Sequence, residues 1–356
     1  MIIERYIASN LLRGWLTVLL VVGSVFGLIA FITELERTRF DYDALAVAQY
    51  TLMTLPQQMV GLAPVIALLG SILALAGLDR FNELTVVCCA GVSRRKLLGA
   101  IALPTLGLML LLWAGLEFVT PALHQQAEQQ RHSLRYRGDI RIPDGGVWSR
   151  SGRRYTHLGS MTPDGVPGAI DIFDFDEQGR LERALYANRA RVLSGRRWLL
   201  INVREKQRDG DIFVTRKLKE LEVERMWAAD ELPTLSLTPD SMTLSVLWSY
   251  SNFLRQNGQP WTYYLAAFWQ KLMLPLTAGA MVLLATPISA SLGSRRNRNF
   301  GVNMGIGALI GILFYLGAQI IYALGQLLDI NVALVALIPT LLVASVAALL
   351  LQRMRW

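Results

Sequence analysis

The stretch LLRGWLTVLLVVGSVFGLIAFI, Leu11 to Ile32, carries one charge, Arg13, and is otherwise almost wholly apolar. An α-helix needs about 20 such residues to cross the hydrocarbon core of a bilayer. Five comparable runs follow: Thr51 to Gly77, Leu97 to Val119, Leu265 to Ala290, Val302 to Leu328 and Val332 to Leu351. Peptide groups in lipid must find partners within their own segment, so each run is expected to be helical. The fold class is a membrane protein of six transmembrane α-helices, three on either side of an insert. Residues 1–122 are read as the first helical unit, 123–260 as the insert with flanking helices, and 261–356 as the second unit.

Lys and Arg in short loops are retained on the cytoplasmic side. They mark the N-terminus with Arg5, the loop with Arg80, Arg94, Arg95 and Lys96, the loop with Arg295, Arg296 and Arg298, and the tail with Arg353 and Arg355. The alternate connections, Glu34 to Asp43 and Asp329 to Asn331, hold several acids and few bases. Both termini are therefore expected in the cytoplasm and the insert outside. These residues supply much of the net charge of +8, so the basic balance is no sign of nucleic-acid binding. The first run exceeds a signal-peptide core and no A-x-A-like site follows, so it reads as an anchor. Cys88 and Cys89, the only cysteines, fall in a cytoplasmic loop where thiols stay reduced.

Within the insert the period changes to short alternating stretches: Val147 to Ser149, Tyr155 to Leu158, Ala169 to Phe175, Leu185 to Leu193, Trp198 to Glu205 and Ile212 to Arg216. Turn residues such as Ser151-Gly152, Glu177-Gln178-Gly179 and Asp209-Gly210 separate them, the pattern of an antiparallel β-sandwich or jelly roll. Alternation along Asp171 to Asp176 puts Ile170, Ile172 and Asp174 on one face and Asp171, Phe173 and Phe175 on the other. Leu244, Leu247 and Leu254 predict an amphipathic helix over Leu244 to Gln256 that leads back to the membrane. The three histidines, His124, His132 and His157, have no metal or triad spacing, and no G-x-S-x-G or phosphate loop occurs. A catalytic or metal site is not expected.

Between the second and third runs, residues 78–92 form a second amphipathic pattern. Phe81, Leu84, Val87 and Cys88 lie at helical spacing, with Asp79, Arg80, Asn82 and Glu83 opposite and Gly91 as a helix end. Such a helix either lies in the membrane interface or docks into a groove of a cytoplasmic partner. Glu83-Leu84-Thr85-Val86-Val87 with Ala90-Gly91, in this position, resembles the coupling helix of the LptF/LptG permeases of lipopolysaccharide export. Arg5-Tyr6-Ile7, Tyr42-Asp43-Ala44-Leu45, Gly146-Val147-Trp148, Trp269-Gln270-Lys271 with Pro275-Leu276, and Phe314-Tyr315 ahead of Gln319 extend the resemblance over nearly the whole chain. Tyr42 to Leu45, Trp148 and the stretch from Pro239-Asp240 to Gly258-Gln259 bring it nearer the LptG branch.

The resemblance implies a permease subunit of an ABC transporter in the bacterial inner membrane. It would pair with a paralogous LptF, bind a dimer of the ATPase LptB, and pass lipopolysaccharide to LptC and the periplasmic LptA bridge. No cofactor of its own is implied, since ATP and Mg²⁺ would sit on the ATPase. Phe81, Glu83, Leu84, Ala90 and Gly91 would form the ATPase contact. Lipopolysaccharide carries clustered phosphates, which arginine grips bidentately. Arg37 and Arg39 after the first run, and Arg131, Arg135 and Arg137 after the third, are the expected phosphate ligands, or else they pair with Glu34, Glu36 and Glu128. Arg131 matches a basic family position, whereas Ala30 stands where relatives carry a lysine.

Leu28, Ile29, Phe31, Phe314 and Ile320 are expected walls for acyl chains, with Gln319 beside them. Lys271, inside the fourth run, is expected to face the lipid cavity with Glu117 as its resting counter-ion. Gly301-x-x-x-Gly305 and Gly307-x-x-x-Gly311 allow close helix approach, either to the partner permease or within the chain. A lipoprotein-release-type permease is the alternative transporter, although its four spans with the insert after the first do not match. A non-transporting scaffold whose external domain binds a periplasmic protein, and a lipid-modifying transferase, are the alternatives from other classes. Under the family reading Glu83 meets a basic residue of the ATPase. Glu83→Arg should then abolish lipopolysaccharide export while the protein is still inserted and folded; normal export by that variant would exclude the contact.

Overall fold

The computed structural model describes residues 2–36, 38, 42–80, 94–136, 147–161, 166–193, 197–210, 212–224, 226, 238–256, 259, 261–293, 300–328 and 330–353. Helix α1 (Ile2–Leu35) precedes α2 (Ala44–Gly61) and α3 (Ala63–Arg80). Helix α4 (Arg94–Ala114) passes through a π-helical turn (Gly115–Val119) into α5 (Thr120–Tyr136). After the insert come a 3-10 turn (Pro239–Ser241) and α6 (Leu244–Gln256), then α7 (Thr262–Gly293), α8 (Phe300–Leu327) and α9 (Val332–Arg353). Among the described residues five helices are long and apolar enough to cross a membrane, or six with α2 and α3 taken together as one bent span.

That sixth crossing is broken. Helices α2 and α3 meet at 73°, where the sequence alone suggested one continuous span. The cause is local. Pro64 has no amide to bond back into α2, and it disfavours helical geometry at Ala63. At Leu62 the last bond of α2, from its amide to the Gln58 carbonyl, gives way to bonds from the Val65 and Ile66 amides to the Leu62 carbonyl. The third run is also longer than expected, since α5 carries it beyond the membrane through the π turn.

Helix α7 is the pillar of the bundle. Its Ala278 and Val282 join Ile7, Leu11 and Trp15 of α1 in one buried cluster, and its Met281 and Ala285 join Leu68, Ile72 and Val343 in another. Gly70 lets α1 and α3 touch: a Cβ there would lie 2.7 Å from Cδ1 of Trp15. The indole nitrogen of Trp15 donates to Ser71 Oγ at 2.9 Å, so the close approach leaves no polar group stranded at that point.

Among the described residues of the insert there are six strands: β1 (Val147–Ser151), β2 (Arg154–Met161), β3 (Pro167–Phe175), β4 (Leu181–Val192), β5 (Trp198–Asp209) and β6 (Ile212–Val223). Each pairs antiparallel with the next, in sequence order. The expected alternation holds in β3. Ile170 and Ile172 are buried with Leu158, Leu185, Trp198 and Leu200, while Phe173 stacks outside against Trp148. Arg154 of β2 donates to both carboxylate oxygens of Asp174, at 2.6 and 3.2 Å, and to the carbonyl of Glu224 just beyond β6 at 2.9 Å. That clasp ties β2 and β3 to the chain that leaves β6, the far edge of the sheet. Leu185→Ala should destabilise the insert by about 2–5 kcal/mol. Phe213→Ala, at an exposed site, should cost less than about 0.5 kcal/mol. Protease resistance of the insert in the full-length protein would separate the two.

Candidate functional site

A cavity of about 630 Å³ opens in the bundle on the side of the insert. Its walls are Phe26, Ala30 and Thr33 of α1, a polar stripe of α2, Ala267 and Gln270 of α7, and Tyr315 and Gln319 of α8. The break between α2 and α3 contributes directly, since Val60, Gly61 and Leu62 border the space. The α2 stripe is Tyr50, Thr51, Thr54, Gln57 and Gln58, which recur at helical spacing and so share one side of an otherwise apolar helix.

One edge of the cavity holds a charged network. Arg131 of α5 donates through Nε to Glu34 Oε1 at 2.7 Å and through Nη2 to Oε2 at 3.4 Å, a forked pair with a buried carboxylate. Its Nη1 reaches Glu128 Oε2 at 3.5 Å, and its guanidinium lies 5.0 Å from the centre of the Tyr50 ring. Tyr50 donates its hydroxyl to Glu128 at 2.6 Å, and Tyr42 donates to Glu34 at 3.4 Å. Burial first, and the Glu34 charge second, push the Tyr42 hydroxyl up to about 12, so it remains a donor at neutral pH. Asp43 beside it accepts from the Ala46 amide at 2.9 Å and caps α2.

Deeper in, three lining residues carry buried polar atoms without a hydrogen-bond partner among the described residues: Thr51 Oγ1, Gln57 Oε1 and His124 Nδ1. A buried polar atom without a partner costs about 1–3 kcal/mol, so these atoms favour a polar ligand or water over hydrocarbon. The cavity is thus amphipathic: Phe26, Ala30, Leu62, Leu116, Ala267 and Leu274 give it apolar patches beside the α2 stripe and Glu34, His124, Gln270 and Lys271.

Below the insert, membrane helices grip the returning chain. Lys271 of α7 donates its ammonium to the carbonyls of Pro239, Asp240 and Met242 at 2.9, 3.0 and 2.9 Å. Gln125 of α5 donates to the intervening Ser241 carbonyl at 2.7 Å. Glu117, on the π turn, accepts from the amides of Leu244 and Ser245 at 2.9 and 3.4 Å and from Ser245 Oγ at 2.5 Å. Thr243 Oγ1 adds the N-cap of α6 by accepting from Val246 at 3.1 Å.

Over residues 5–353 the sequence matches the family described as lipopolysaccharide export system permease LptF/LptG. The chain belongs to the LptF/LptG family. It is 28% identical to the lipopolysaccharide export system permease protein LptG of Escherichia coli K12, over 99% of this chain and 98% of that protein. To the LptG of Haemophilus influenzae it is 29% identical, over 99% of each.

Several residues expected from the LptF/LptG resemblance sit elsewhere than anticipated. The direct Lys271–Glu117 pair does not form: Lys271 is committed to turn carbonyls and Glu117 to the start of α6, because backbone groups of suitable sign lie nearer to each. Lys271 still borders the cavity, beside Asp240. Arg131 does not itself line the cavity; it stands behind Glu34 and Tyr50, which do, as an ion-pair partner of Glu34 and Glu128. Phe314 packs into the core with Met304 and Ile310, Phe31 is half-buried away from the cavity, and Leu28, Ile29 and Ile320 are exposed on the outer surface. Tyr315, next to Phe314, takes the wall position, and Gln319 is there as expected.

Gly307 and Gly311 pack within the chain: added Cβ atoms would lie 2.5 Å from Ile72 Cδ1 and 2.9 Å from Val65 Cγ1 of α3. Gly301 and Gly305 face open space. Phe81, Glu83, Leu84, Ala90 and Gly91, with Arg37 and Arg39, lie outside the described residues, and of Arg135 only the backbone, on α5, is described. Residues that the resemblance did not single out are Tyr50, Thr51, Thr54, Gln57 and Gln125. The hydroxyl and amide stripe in the second apolar run was the available signal.

Lys271→Met keeps the length of the side chain but strands the buried carbonyls of Pro239 and Met242 and the part-buried one of Asp240. It should cost on the order of 3 kcal/mol and loosen the insert from the bundle, read as faster proteolysis between residues 225 and 260. Gly307→Ile should lower the thermal stability of the purified chain far more than Gly301→Ile, which meets no neighbour within it.

Proposed function

We propose that this chain is the LptG-type permease of an ABC transporter that extracts lipopolysaccharide from the inner membrane. The observation that carries the reading is the amphipathic cavity between α1, α2, α7 and α8, with the Arg131 network at its insert side. Lipopolysaccharide joins phosphorylated sugars to acyl chains, and a cavity with one charged edge and apolar walls matches that division. The distribution of Lys and Arg supports cytoplasmic termini and a periplasmic insert. ATP and Mg²⁺ then belong to a cytoplasmic ATPase dimer of the LptB kind, engaged through residues 78–92. A paralogous LptF completes the transmembrane pathway, and LptC with LptA receives the lipid.

Arg131 is the proposed phosphate ligand. Its guanidinium is held by carboxylates just behind Glu34 and Tyr50 of the cavity wall, and a phosphate reaching it would take the place of Glu128, the more distant partner, while Glu34 keeps the side chain aimed. Closure of the ATPase dimer would drive the bundle between two states, narrowing the cavity and expelling the lipid toward the insert. The chain reconstituted with its paralogue and the ATPase should release lipopolysaccharide to the bridge protein only with ATP; binding of a periplasmic protein without release would indicate a scaffold. Arg131→Glu should reduce co-purifying lipopolysaccharide about tenfold. Arg180→Glu, in an exposed pair with Asp176 on the insert, should leave it unchanged. Equal losses would mean that only bulk charge matters.

A further inference from the structure

A second concavity, of about 760 Å³, lies where the ends of α7, α8 and α9 meet on the side of the insert. It shares no lining residue with the cavity described above. Its floor is tight: Gly325 of α8 approaches α9 so closely that a Cβ would lie 2.5 Å from Val335 Cγ2. Its rim is aromatic and polar, with Trp261, Tyr263, Tyr322, Gln326 and Asn331. Trp and Tyr at the start and end of membrane helices mark the level of lipid headgroups.

Arg255, in the last turn of α6, reaches over this groove with its guanidinium 5.4 Å from the centre of the Trp261 ring. The ring holds the cation at the rim by a cation–π contact and leaves its donors available. Among the described residues Arg255 makes no ion pair and the Tyr322 hydroxyl makes no hydrogen bond. Among the described residues no Asp or Glu lines the groove. Leu327, Leu328 and Leu334 expose apolar surface in the adjoining helix ends, where an acyl chain could lie.

We propose that this groove binds the headgroup of an anionic glycerophospholipid, with Arg255 as the phosphate ligand and Tyr322, Gln326 and Asn331 around the glycerol. One guanidinium and, among the described lining residues, no second base match a single phosphodiester, unlike the clustered phosphates of lipopolysaccharide. Among the same residues no acid offsets that cation, which favours a headgroup with net negative charge over a zwitterionic one. The site lies in the leaflet on the side of the insert, and the ligand joins α6 to the α7–α8–α9 corner. The inference does not rest on the transport reading, because its readout needs neither ATP nor lipopolysaccharide transport.

The test uses the full-length chain in phosphatidylcholine vesicles containing a minor fraction of phosphatidylglycerol, with retained lipid counted by native mass spectrometry. Wild type should retain one phosphatidylglycerol in preference to phosphatidylcholine, and neither inorganic phosphate nor diacylglycerol should displace it. Arg255→Gln should weaken retention about tenfold, the loss of a charge-assisted hydrogen bond, with Arg255→Lys intermediate. A phosphatidylglycerol with a photoreactive headgroup should label wild-type peptides containing residues 255–263 and 322–331, which keeps the test independent of how the variants fold. Equal retention of the two lipids, unchanged retention by a folded Arg255→Gln, labelling elsewhere, or displacement by lipopolysaccharide would each overturn the assignment.

Discussion

Four consecutive carbonyls, at Pro239, Asp240, Ser241 and Met242, are the constraint on which the junction of insert and bundle depends. They reach a buried face of the membrane helices, where each needs a donor. Lys271 meets three and Gln125 the fourth. The arrangement removes two liabilities together, since an ammonium inside a membrane segment is itself costly unless it is solvated. Immediately afterwards the sign reverses: the free amides at the start of α6 need acceptors, and Glu117 supplies them. The π turn that carries Glu117 marks a local change in helical winding where α4 passes into α5. Cation on carbonyls and anion on amides therefore fix a short stretch of backbone from three directions.

The break at Leu62 solves a different problem. A straight second crossing would pack its whole length against its neighbours, whereas the 73° bend opens space beside α1 and turns the hydroxyl and amide stripe of α2 toward it. Polar atoms in a membrane are tolerated where they face a cavity. The Glu34–Arg131–Glu128 group closes the upper edge of that cavity, and Tyr42 and Tyr50 add donors to its carboxylates.

How much of this was legible in the sequence differs by level. The six crossings, the strand positions and the buried side of β3 follow from periodicity, which reports burial directly. The break in the second crossing had a signal, Pro64 after Gly61, that a run of apolar residues masks. Phe31 and Phe314 show why the cavity walls were not legible: in a helix that is apolar all round, hydropathy does not say which side faces a cavity. Lys271 and Glu117 stand out in the sequence as charges within apolar runs, yet their hydrogen-bond partners are mainly backbone groups, which no residue pattern displays. Pro239-Asp240 and Trp269-Gln270-Lys271, quoted as separate marks of the family, turn out to be one contact.

Exposure is distributed unevenly over the bundle, and that asymmetry ties the junction to the rest of the molecule. Of the most apolar window of α7, 78% is buried, against 6% for α1 and 11% for α8. Helices α1 and α8 flank the cavity and leave wide apolar surfaces uncovered, with Gly301 and Gly305 open on α8. A helix as enclosed as α7 cannot shift without displacing the elements packed on it, because packed interiors are stiff. Lys271 makes the Pro239–Met242 turn one of those elements. A change in the packing of α7 is therefore delivered to the base of the insert through hydrogen bonds, while α1 and α8 remain the surfaces that can move against lipid or a second subunit.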